Sequence, residues 1–359
     1  MTAGRAGSDT PVVRIGNRAV GRSFPTYLVA ELSGNHNGSL DRALETVRAA
    51  ARSGADAIKL QTYTADTMTI RSSDPMFVVG GEGPWAGKTL YDLYEEAHTP
   101  WDWHKPLFKE AKKVGIDIFS TPFDPTAVDF LDSLGVPAYK IASFELTDDA
   151  LLAAVAGKGK AVIVSTGMAS LEEITHAKQV LVESGAREII FLHCTSAYPA
   201  PDESMGLATI PELERVTGCA VGLSDHSMGT TAPVIAVTLG ACLIEKHFTL
   251  SRADGGVDSH FSLEPAEFAA MAKDVRRAEA MQGSASFGVG LAEEGNVVFR
   301  RSLFVVRDVK AGESFSDQNI RAIRPGYGLS PRHLSTALKS RARSDIRAGT
   351  PLAWEHLVG

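Results

Sequence analysis

The segment AVIVSTGMASLEEITHAKQVLVESGAREIIFLH, residues 161–193, contains the pattern that decides the fold. Its runs rich in Val and Ile, at 161–166 and 188–193, do not alternate with polar residues, which is typical of parallel strands buried on both faces. Between them, Ser170-Leu-Glu-Glu173 has the form of a capping box, and the helix that it begins ends near Gly185. The segment therefore predicts a strand–helix–strand unit of a parallel sheet.

The same unit recurs on both sides of this segment. The apolar runs are YLVAEL (27–32), AIKLQT (57–62), IDIFST (116–121), PAYKIA (137–142), AVIVST (161–166), EIIFLH (188–193), AVGLSD (220–225) and CLIEKH (242–247). Ser39 is placed to begin a helix that ends at Gly54, and Asp124-Pro125 begins one that ends at Gly135. Eight such units predict an α/β fold, a (β/α)8 TIM barrel, in preference to an open doubly wound sheet.

Three regions depart from this repeat. Residues 63–105 are too long for a simple crossover and rich in Gly, Trp and Pro, so we expect them to cover one end of the barrel. The stretch GSASFGVGLAEEG at 283–295 is rich in Gly, Ser and Ala. We therefore predict a barrel domain at 1–282, a linker at 283–298 and a small domain at 299–359.

The small domain contains an internal repeat. DVKAGESFSDQNI (308–320) matches DIRAGTPLAWEHL (345–357) at an offset of 37 residues. Each copy is typical of a hairpin with an Ala-Gly turn followed by a short helix, and two copies predict a small pseudo-symmetric β domain.

Charge is divided unevenly between these parts. The chain has 359 residues and a formal net charge of −7, which argues against nucleic acid as a partner. Residues 1–298 carry 25 basic and 38 acidic side chains, whereas residues 299–359 carry 11 basic and 5 acidic ones. The sequence thus predicts an acidic barrel beside a basic tail domain.

Membrane and secretion signals are not visible in the sequence. The longest apolar stretch, 232–244, is too short to span a bilayer, and the first residues lack the apolar segment of a signal peptide. Cys194, Cys219 and Cys242 are widely spaced and give neither a disulfide framework nor a zinc motif. We therefore expect a cytoplasmic protein without a membrane partner.

Polar residues concentrate where the predicted strands end, which is where barrel enzymes place their active sites. These residues are Glu31, Lys59, Gln61, Ser120, Thr121, Lys140, Ser143, Glu145, Ser165, Thr166, His193, Thr195, Tyr198, Ser224, Asp225, His226, Glu245, Lys246 and His247. Each alone has a structural explanation, such as a buried salt bridge or a hydroxyl cap. Their presence at nearly every strand end favours catalysis.

Six of these side chains can be interpreted in more than one way from the residues alone. His226 and His247 end neighbouring strands and are a candidate pair of ligands for a divalent metal, or else hydrogen-bonded core histidines. Lys59 and Lys140 interrupt apolar strands, which suggests an anion site or a Schiff-base nucleophile. Glu31 and Glu145 are candidate acids or bases, or salt-bridge partners of these lysines.

A family resemblance adds to this reading. The strings AELSGNHNGS, DAIKLQTY, FSTPFD, YKIASFE, VSTGMAS, LHCTSAYP, GLSDHS and IEKHFT occur in the order in which they resemble the sialic acid synthase family. The tail from residue 299 resembles the antifreeze-like (SAF) domain of those enzymes. WAGKTLYDLYEEAHTPWDWHKPLF and DSHFSLEP are most similar to the pseudaminic acid synthase branch.

The resemblance implies a metal-dependent transferase that condenses phosphoenolpyruvate with a 2-acetamido sugar aldehyde. For the pseudaminic branch the sugar is 2,4-diacetamido-2,4,6-trideoxy-L-altrose. His226 and His247 then hold Mn²⁺ or Mg²⁺, and Arg324 enters the partner's site in a domain-swapped homodimer. The implied phosphoenolpyruvate site consists of Lys59, Thr121, Lys140, Ser143, Ser165 and Ser224. Glu31 becomes an acid or base, Glu145 and Asp258 hold acceptor hydroxyls or water, and Tyr198 contacts the acceptor.

Three positions depart from the family pattern and bear on the acceptor. They are Ser196, where neuraminate-making enzymes have Asn, Val257, where Pro is common, and His260. Alternatives to the pseudaminic reading are an N-acetylneuraminate or legionaminate synthase, a Schiff-base aldolase or lyase using Lys140, and a non-catalytic protein whose tail is an interaction module.

Overall fold

The computed structural model describes residues 10–81 and 85–359, in two compact units, Met1–Gly283 and Ser284–Gly359. The expectation of no signal peptide rests on residues 1–9, which lie outside the described ones. None of the described helices is long and apolar enough to cross a membrane. Cys194, Cys219 and Cys242 all carry free thiols.

The first unit is a closed barrel of eight parallel strands, as the sequence predicts. A hairpin of β1 (Val13–Ile15) and β2 (Arg18–Val20) precedes it. The barrel strands are β3 (Tyr27–Glu31), β4 (Ala57–Thr62), β5 (Asp117–Pro122), β6 (Ala138–Ile141), β7 (Ala161–Ser165), β8 (Ile189–Cys194), β9 (Ala220–Asp225) and β10 (Leu243–His247). They pair in chain order, and β10 closes the barrel on β3, with Leu243 opposite Tyr27 and His247 opposite Glu31.

Helices surround the barrel and connect its strands. They are α1 (Leu40–Arg52), α2 (Ala65–Met68), α3 (Leu90–Ala97), α4 (His104–Val114), α5 (Pro125–Leu134), α6 (Asp149–Ala156), α7 (Leu171–Glu183), α8 (Thr209–Thr217), α9 (Thr231–Thr238) and α10 (Pro265–Gln282). The predicted caps are present: Ser39 accepts the N–H of Arg42, and Ser170 and Glu173 bond reciprocally. Gly135 ends α5 with a φ of 72°, in the left-handed region.

The two faces of each barrel strand bury different partners. Outward side chains such as Leu28 and Ile58 belong to the core shared with the helices, whereas Val29, Ala57 and Phe119 pack inside the barrel. Both faces are apolar along most of each strand, which is why the sequence shows unbroken apolar runs. Apart from Asp117 at the start of β5, which accepts the hydroxyl hydrogen of Tyr27, the inward positions become polar mainly near the carboxyl ends.

Part of segment 63–105 reaches across the carboxyl end of the barrel. Its Trp85 donates the indole N–H to the carbonyl of Val257, 2.8 Å away. A β-carbon at Gly34, in the loop after β3, would lie 3.3 Å from that of Ala97 and 3.1 Å from that of Val257, so a larger residue would push this covering segment outward. The structure thus confirms that the segment covers one end.

The second unit contains two small antiparallel pairs. β11 (Ser302–Val305) pairs with β12 (Ile320–Ile323), and β13 (Arg341–Ala342) pairs with β14 (Leu357–Val358). A short helix, α11 (Leu334–Ala337), lies between β12 and β13, and a 3-10 helix (Leu291–Phe299) precedes β11. Leu303, Val305 and Leu352 are buried in a core that belongs to this unit.

The internal repeat is present, but its pairing differs from the prediction. The two copies form a bridge with each other, through Val309 and Ile346, instead of each forming its own hairpin. Asp308 accepts the N–H of Ala348, and Asp345 accepts that of Ala311, so the same bond occurs twice about a pseudo-two-fold. Each copy is too short to bury Val309 or Ile346 by itself, and mutual pairing buries both.

Replacing Phe119 by Ala tests the barrel interior. Its side chain is fully buried, so we expect the free energy of unfolding of the first unit to fall by about 3–5 kcal/mol in urea titrations followed by circular dichroism. The control is Phe287→Ala, because the Phe287 ring is fully exposed. Equal stability of Phe119→Ala and the parent would contradict a close-packed barrel interior.

Candidate active site

The carboxyl ends of the barrel strands bring most of the predicted site residues into one buried layer. Its members face inward from seven of the eight strands and are all at most 7% exposed: Glu31, Lys59, Thr121, Lys140, Ser165, Ser224 and His247. Ionisable groups at this burial need partners, because burying an isolated charge costs several kcal/mol.

Lys59 lies at the centre of this layer. Its ammonium is 2.7 Å from a carboxylate oxygen of Glu31, 3.0 Å from the hydroxyl of Thr121 and 3.7 Å from Glu245. Burial by itself would lower the pKa of Lys59, but Glu245 and Glu31 raise it above its ordinary value, so the side chain stays charged. Ser224 donates to Glu245 over 3.4 Å.

Glu31 is poised to exchange a proton near neutral pH. Burial raises its pKa to about 7, and Glu245 adds to the rise while Lys59 opposes it. Gln61 donates to Glu31 over 3.0 Å and to the hydroxyl of Ser33 over 3.1 Å, and that hydroxyl bonds to Asp258. Glu31 and Asp258 are therefore joined by one hydrogen-bond network through Gln61 and Ser33.

Lys140 forms a second cationic centre. Its ammonium donates to the hydroxyl of Ser165 and to the carbonyl of Ile141, each 2.7 Å away. Burial lowers the pKa of Lys140, and Lys59 lowers it further while Glu245 opposes the shift. Two ammonium groups beside several hydroxyls form an environment suited to a compact, highly charged anion.

Ser143 and Ser196 line a narrow space beside this centre. The N–H of Gly167 donates to Ser143 over 3.0 Å. A β-carbon at Gly167 would lie 2.8 Å from the Ser143 hydroxyl and 2.1 Å from that of Ser196, so residue 167 has to be glycine here. This close approach keeps a backbone N–H and two hydroxyls within reach of one another.

Glu145 stands at the rim of the layer. Burial raises its pKa to about 7, with Lys140 opposing the rise. Among the described residues nothing hydrogen-bonds to its Oε2, which is buried. Such a carboxyl is available to a bound molecule.

His226 and His247 lie side by side, with ring centroids 5.3 Å apart. Nδ1 of His226 is 3.0 Å from the carbonyl oxygen of Thr195, so Nδ1 carries a hydrogen and Nε2 is the ring nitrogen left for a metal ion. Burial lowers the pKa of His247 well below its ordinary value, and the neighbouring His226 lowers it further. The imidazole of His247 is therefore neutral. No described residue bonds to the buried Nδ1 of His247.

These observations fit a divalent metal held by two neighbouring imidazoles, through Nε2 of His226 and a ring nitrogen of His247. Within the described part of the chain, no three His, Cys, Asp or Glu side chains group closely enough to hold an ion by themselves. Water or substrate would therefore complete the coordination, as in a catalytic site.

The remaining predicted residues lie at different places. Tyr198 packs its ring 4.4 Å from that of His226. Asp258 is buried, which raises its pKa, although the bond from Ser33 opposes the shift. Arg324 belongs to the second unit, and its side chain is exposed.

The prediction from sequence named Gln61 and Glu245 among the polar strand-end residues but gave them no specific role, and it did not name Ser33 or Trp85 as site residues. The inward direction of Gln61 and Glu245 could have been inferred, because each lies two residues along its strand from another site residue, Lys59 or His247. Ser33 and Trp85 are in irregular segments, where sequence spacing does not give direction.

The fold and this layer define a class, the (β/α)8-barrel enzymes with a charged, buried site at the carboxyl ends of the strands. Comparison with known proteins identifies the family. Residues 46–287 match the NeuB family and residues 300–358 match the SAF domain. The chain belongs to the NeuB family, and it is an enzyme.

Its relatives make related products. Over 326 residues it is 44% identical to the pseudaminic acid synthase of Campylobacter jejuni, covering 91% of this chain and 95% of that protein. It is 36% identical to the N,N'-diacetyllegionaminic acid synthase of Legionella pneumophila, covering 94% and 96%. A solved structure of N-acetylneuraminic acid (sialic acid) synthetase from Leptospira borgpetersenii superposes with a TM-score of 0.72 at 30% identity, covering 81% and 97%. The resemblance seen in the sequence is confirmed.

Glu145→Gln tests the buried rim carboxyl through pH. A carboxyl whose folded pKa is raised from 4.5 to about 7 binds its proton more tightly in the native state, so its contribution to stability is lost as pH rises. Between pH 5 and 8 we expect the parent's free energy of unfolding to fall by about 3 kcal/mol relative to Glu145→Gln, measured by urea titration at each pH. Glu172→Gln, at an exposed position, is the control. Parallel curves for parent and Glu145→Gln would contradict the shift.

Proposed function

We propose that this enzyme condenses phosphoenolpyruvate with a 2-acetamido sugar aldehyde, releasing phosphate and forming a nine-carbon 2-keto sugar acid. We propose that the sugar is 2,4-diacetamido-2,4,6-trideoxy-L-altrose and the product pseudaminic acid. The observation that carries the reaction is the pair of buried ammonium groups, Lys59 and Lys140, beside two imidazoles. The choice of sugar rests on the greater identity to the Campylobacter jejuni enzyme than to the Legionella pneumophila one.

The lysines and hydroxyls supply what phosphoenolpyruvate needs. Its phosphate and carboxylate would meet Lys59 and Lys140, with Thr121 and Ser165 already bonded to these ammonium groups. Ser143 and Ser224 complete the proposed contacts. The acidic barrel would repel such an anion without local positive charge, so the two lysines also account for its entry.

His226 and His247 would hold Mn²⁺ or Mg²⁺. When bound, the ion acts as a Lewis acid that polarises the aldehyde of the acceptor. Tyr198, beside His226, would contact the acceptor, and Glu145 and Asp258 would accept its hydroxyl hydrogens.

The reaction forms one carbon–carbon bond and breaks one carbon–oxygen bond. C3 of phosphoenolpyruvate attacks the aldehyde carbon, and water adds at C2. Glu31, whose pKa of about 7 suits a base at neutral pH, takes one proton of this water, and one proton is returned to the former aldehyde oxygen, which becomes a hydroxyl. The C2–O bond to phosphate then breaks as the remaining proton of the added water is transferred to the departing phosphate, which leaves the ketone and hydrogen phosphate. Lys59 and Lys140 stabilise the charge on the departing phosphate.

Phosphate release tests the proposal. With Mn²⁺ and phosphoenolpyruvate, we expect sugar-dependent release with the altrose acceptor, and much less with its epimers or with N-acetylmannosamine. Product masses are recorded in each case. His226→Ala should lower kcat at least 100-fold, by loss of a metal ligand, whereas His176→Ala, on the exposed face of α7, should not.

The outcomes separate the alternatives. Phosphate release with another acceptor would support the proposed condensation but assign a different sugar as the substrate. Borohydride trapping of a keto acid on Lys140, with activity insensitive to EDTA, would support the aldolase or lyase instead. Full function of His226→Ala would favour the non-catalytic role.

We also propose that two copies exchange their SAF domains, so that Arg324 completes the partner's site. The basic tail domain and the acidic barrel are complementary in charge, which supports such an exchange.

Mixing two inactive variants tests the exchange. Arg324→Ala and His226→Ala should each be inactive alone. When the two variants are coexpressed, about half of the dimers are mixed, and each mixed dimer has one of its two sites built from an intact barrel and an intact arginine. We therefore expect recovery of about a quarter of the parental activity. Arg321→Ala, at another exposed arginine of this unit, should keep full activity. No recovery in isolated mixed dimers would contradict the exchange.

A further inference from the structure

Trp85 is fixed over the carboxyl end of the barrel by the covering segment. Its N–H is used in the 2.8 Å bond to the carbonyl of Val257. Its ring centroid lies 5.6 Å from that of Tyr198 and 6.3 Å from that of His260. The side chain is only partly buried, so part of the indole remains open.

A continuous set of rings joins Trp85 to the two imidazoles. Tyr198 lies between them, 5.6 Å from Trp85, 4.4 Å from His226 and 6.5 Å from His247. Phe261 contacts both Tyr198 and His247, with centroids 5.3 and 4.7 Å apart. A sugar whose aldehyde reached the imidazoles would extend along this aromatic wall toward Trp85.

The indole can offer such a sugar one kind of interaction. Because its N–H is bonded to Val257, Trp85 has no donor left, and its open ring recognises apolar groups. We propose that Trp85 determines acceptor specificity by packing against an apolar group of the sugar, namely a methyl on a deoxy carbon or on an acetamido group. This inference rests on the proposed function and specifies the group of the acceptor sugar that Trp85 would recognise.

Two departures from the family pattern belong to the same contact. Val257 supplies the carbonyl that orients the indole, and the ring of His260 packs against it. Both positions thus act on the acceptor through Trp85, as positioning residues.

Kinetics with Trp85→Ala and Trp85→Phe test the proposal. We expect Trp85→Ala to raise KM for the acceptor about 10-fold or more, because losing an apolar contact costs discrimination of this size. KM for phosphoenolpyruvate should change less than about 3-fold. Trp85→Phe should lie between parent and Ala. We expect the parent to use an acceptor with a hydroxyl on the deoxy carbon poorly, and Trp85→Ala to discriminate against that acceptor less than the parent does.

The matched control is Trp101→Phe. Trp101 also donates its N–H to a backbone carbonyl, that of Tyr63 at 3.3 Å, but its ring stacks on Phe130, between α4 and α5. It should leave acceptor KM and acceptor preference unchanged. A similar loss in both variants, or equal increases in both substrates' KM values, would assign Trp85 a structural role and overturn the proposal.

Calorimetry with the alditol of the acceptor separates this inference from the proposed function. The alditol has no aldehyde, so its binding is measured without turnover. Binding to the parent that is weakened by Trp85→Ala supports the inference, and unchanged binding overturns it. A parent that binds the alditol but releases no phosphate with any acceptor overturns the proposed function alone. Absence of alditol binding to the parent overturns the inference, and absence of phosphate release with every acceptor as well overturns both.

Discussion

The ammonium of Lys59 is the interaction on which the barrel's upper layer depends. It bonds to Glu31 on β3 and Thr121 on β5 and lies near Glu245 on β10, so it joins four strands across the seam where the barrel closes. Removing Lys59 would leave the buried carboxylates of Glu31 and Glu245 without the ammonium beside them, which is far more costly than breaking an exposed pair. The same cluster holds carboxylates and ammonium groups ready for an anionic ligand. Closure of the barrel and formation of the site therefore draw on one set of contacts.

Much of this arrangement could be predicted, because the barrel repeats a local rule. The apolar runs predicted the bounds of all eight strands to within a residue or two. Which side chains point into the barrel then follows, because successive side chains on a strand point to opposite faces. Lys59 and Lys140 could be recognised as site residues because each interrupts such a run. The histidine pair was a candidate metal site from its position at neighbouring strand ends, and the family resemblance favoured that interpretation. The exchange of SAF domains and the sugar came from the resemblance alone, and all three stay proposals.

Other features could not be predicted, because they depend on contacts between distant segments. The pairing of Val309 with Ile346 joins the two repeat copies, whereas the repeat alone suggested separate hairpins. Ser33 links Gln61 to Asp258, although it lies in a loop after β3 with no periodicity to orient it. Trp85 bonds to a residue 172 positions away in the chain. Such contacts are fixed by tertiary packing and leave no local pattern.

The outward face of the same strands explains why the histidines are held so firmly. Asp225 and Lys246 each precede a histidine of the pair, and their side chains bond over 2.6 Å behind the barrel wall, both nearly fully buried. Asp225 also accepts from the backbone N–H and the hydroxyl of Ser227, so the turn after His226 is tied to this pair. Because successive side chains on a strand point to opposite faces, the ion pair cannot shift without moving His226 and His247. The ion pair on the outer face of the strands thus helps to hold the two histidines in place at the candidate active site.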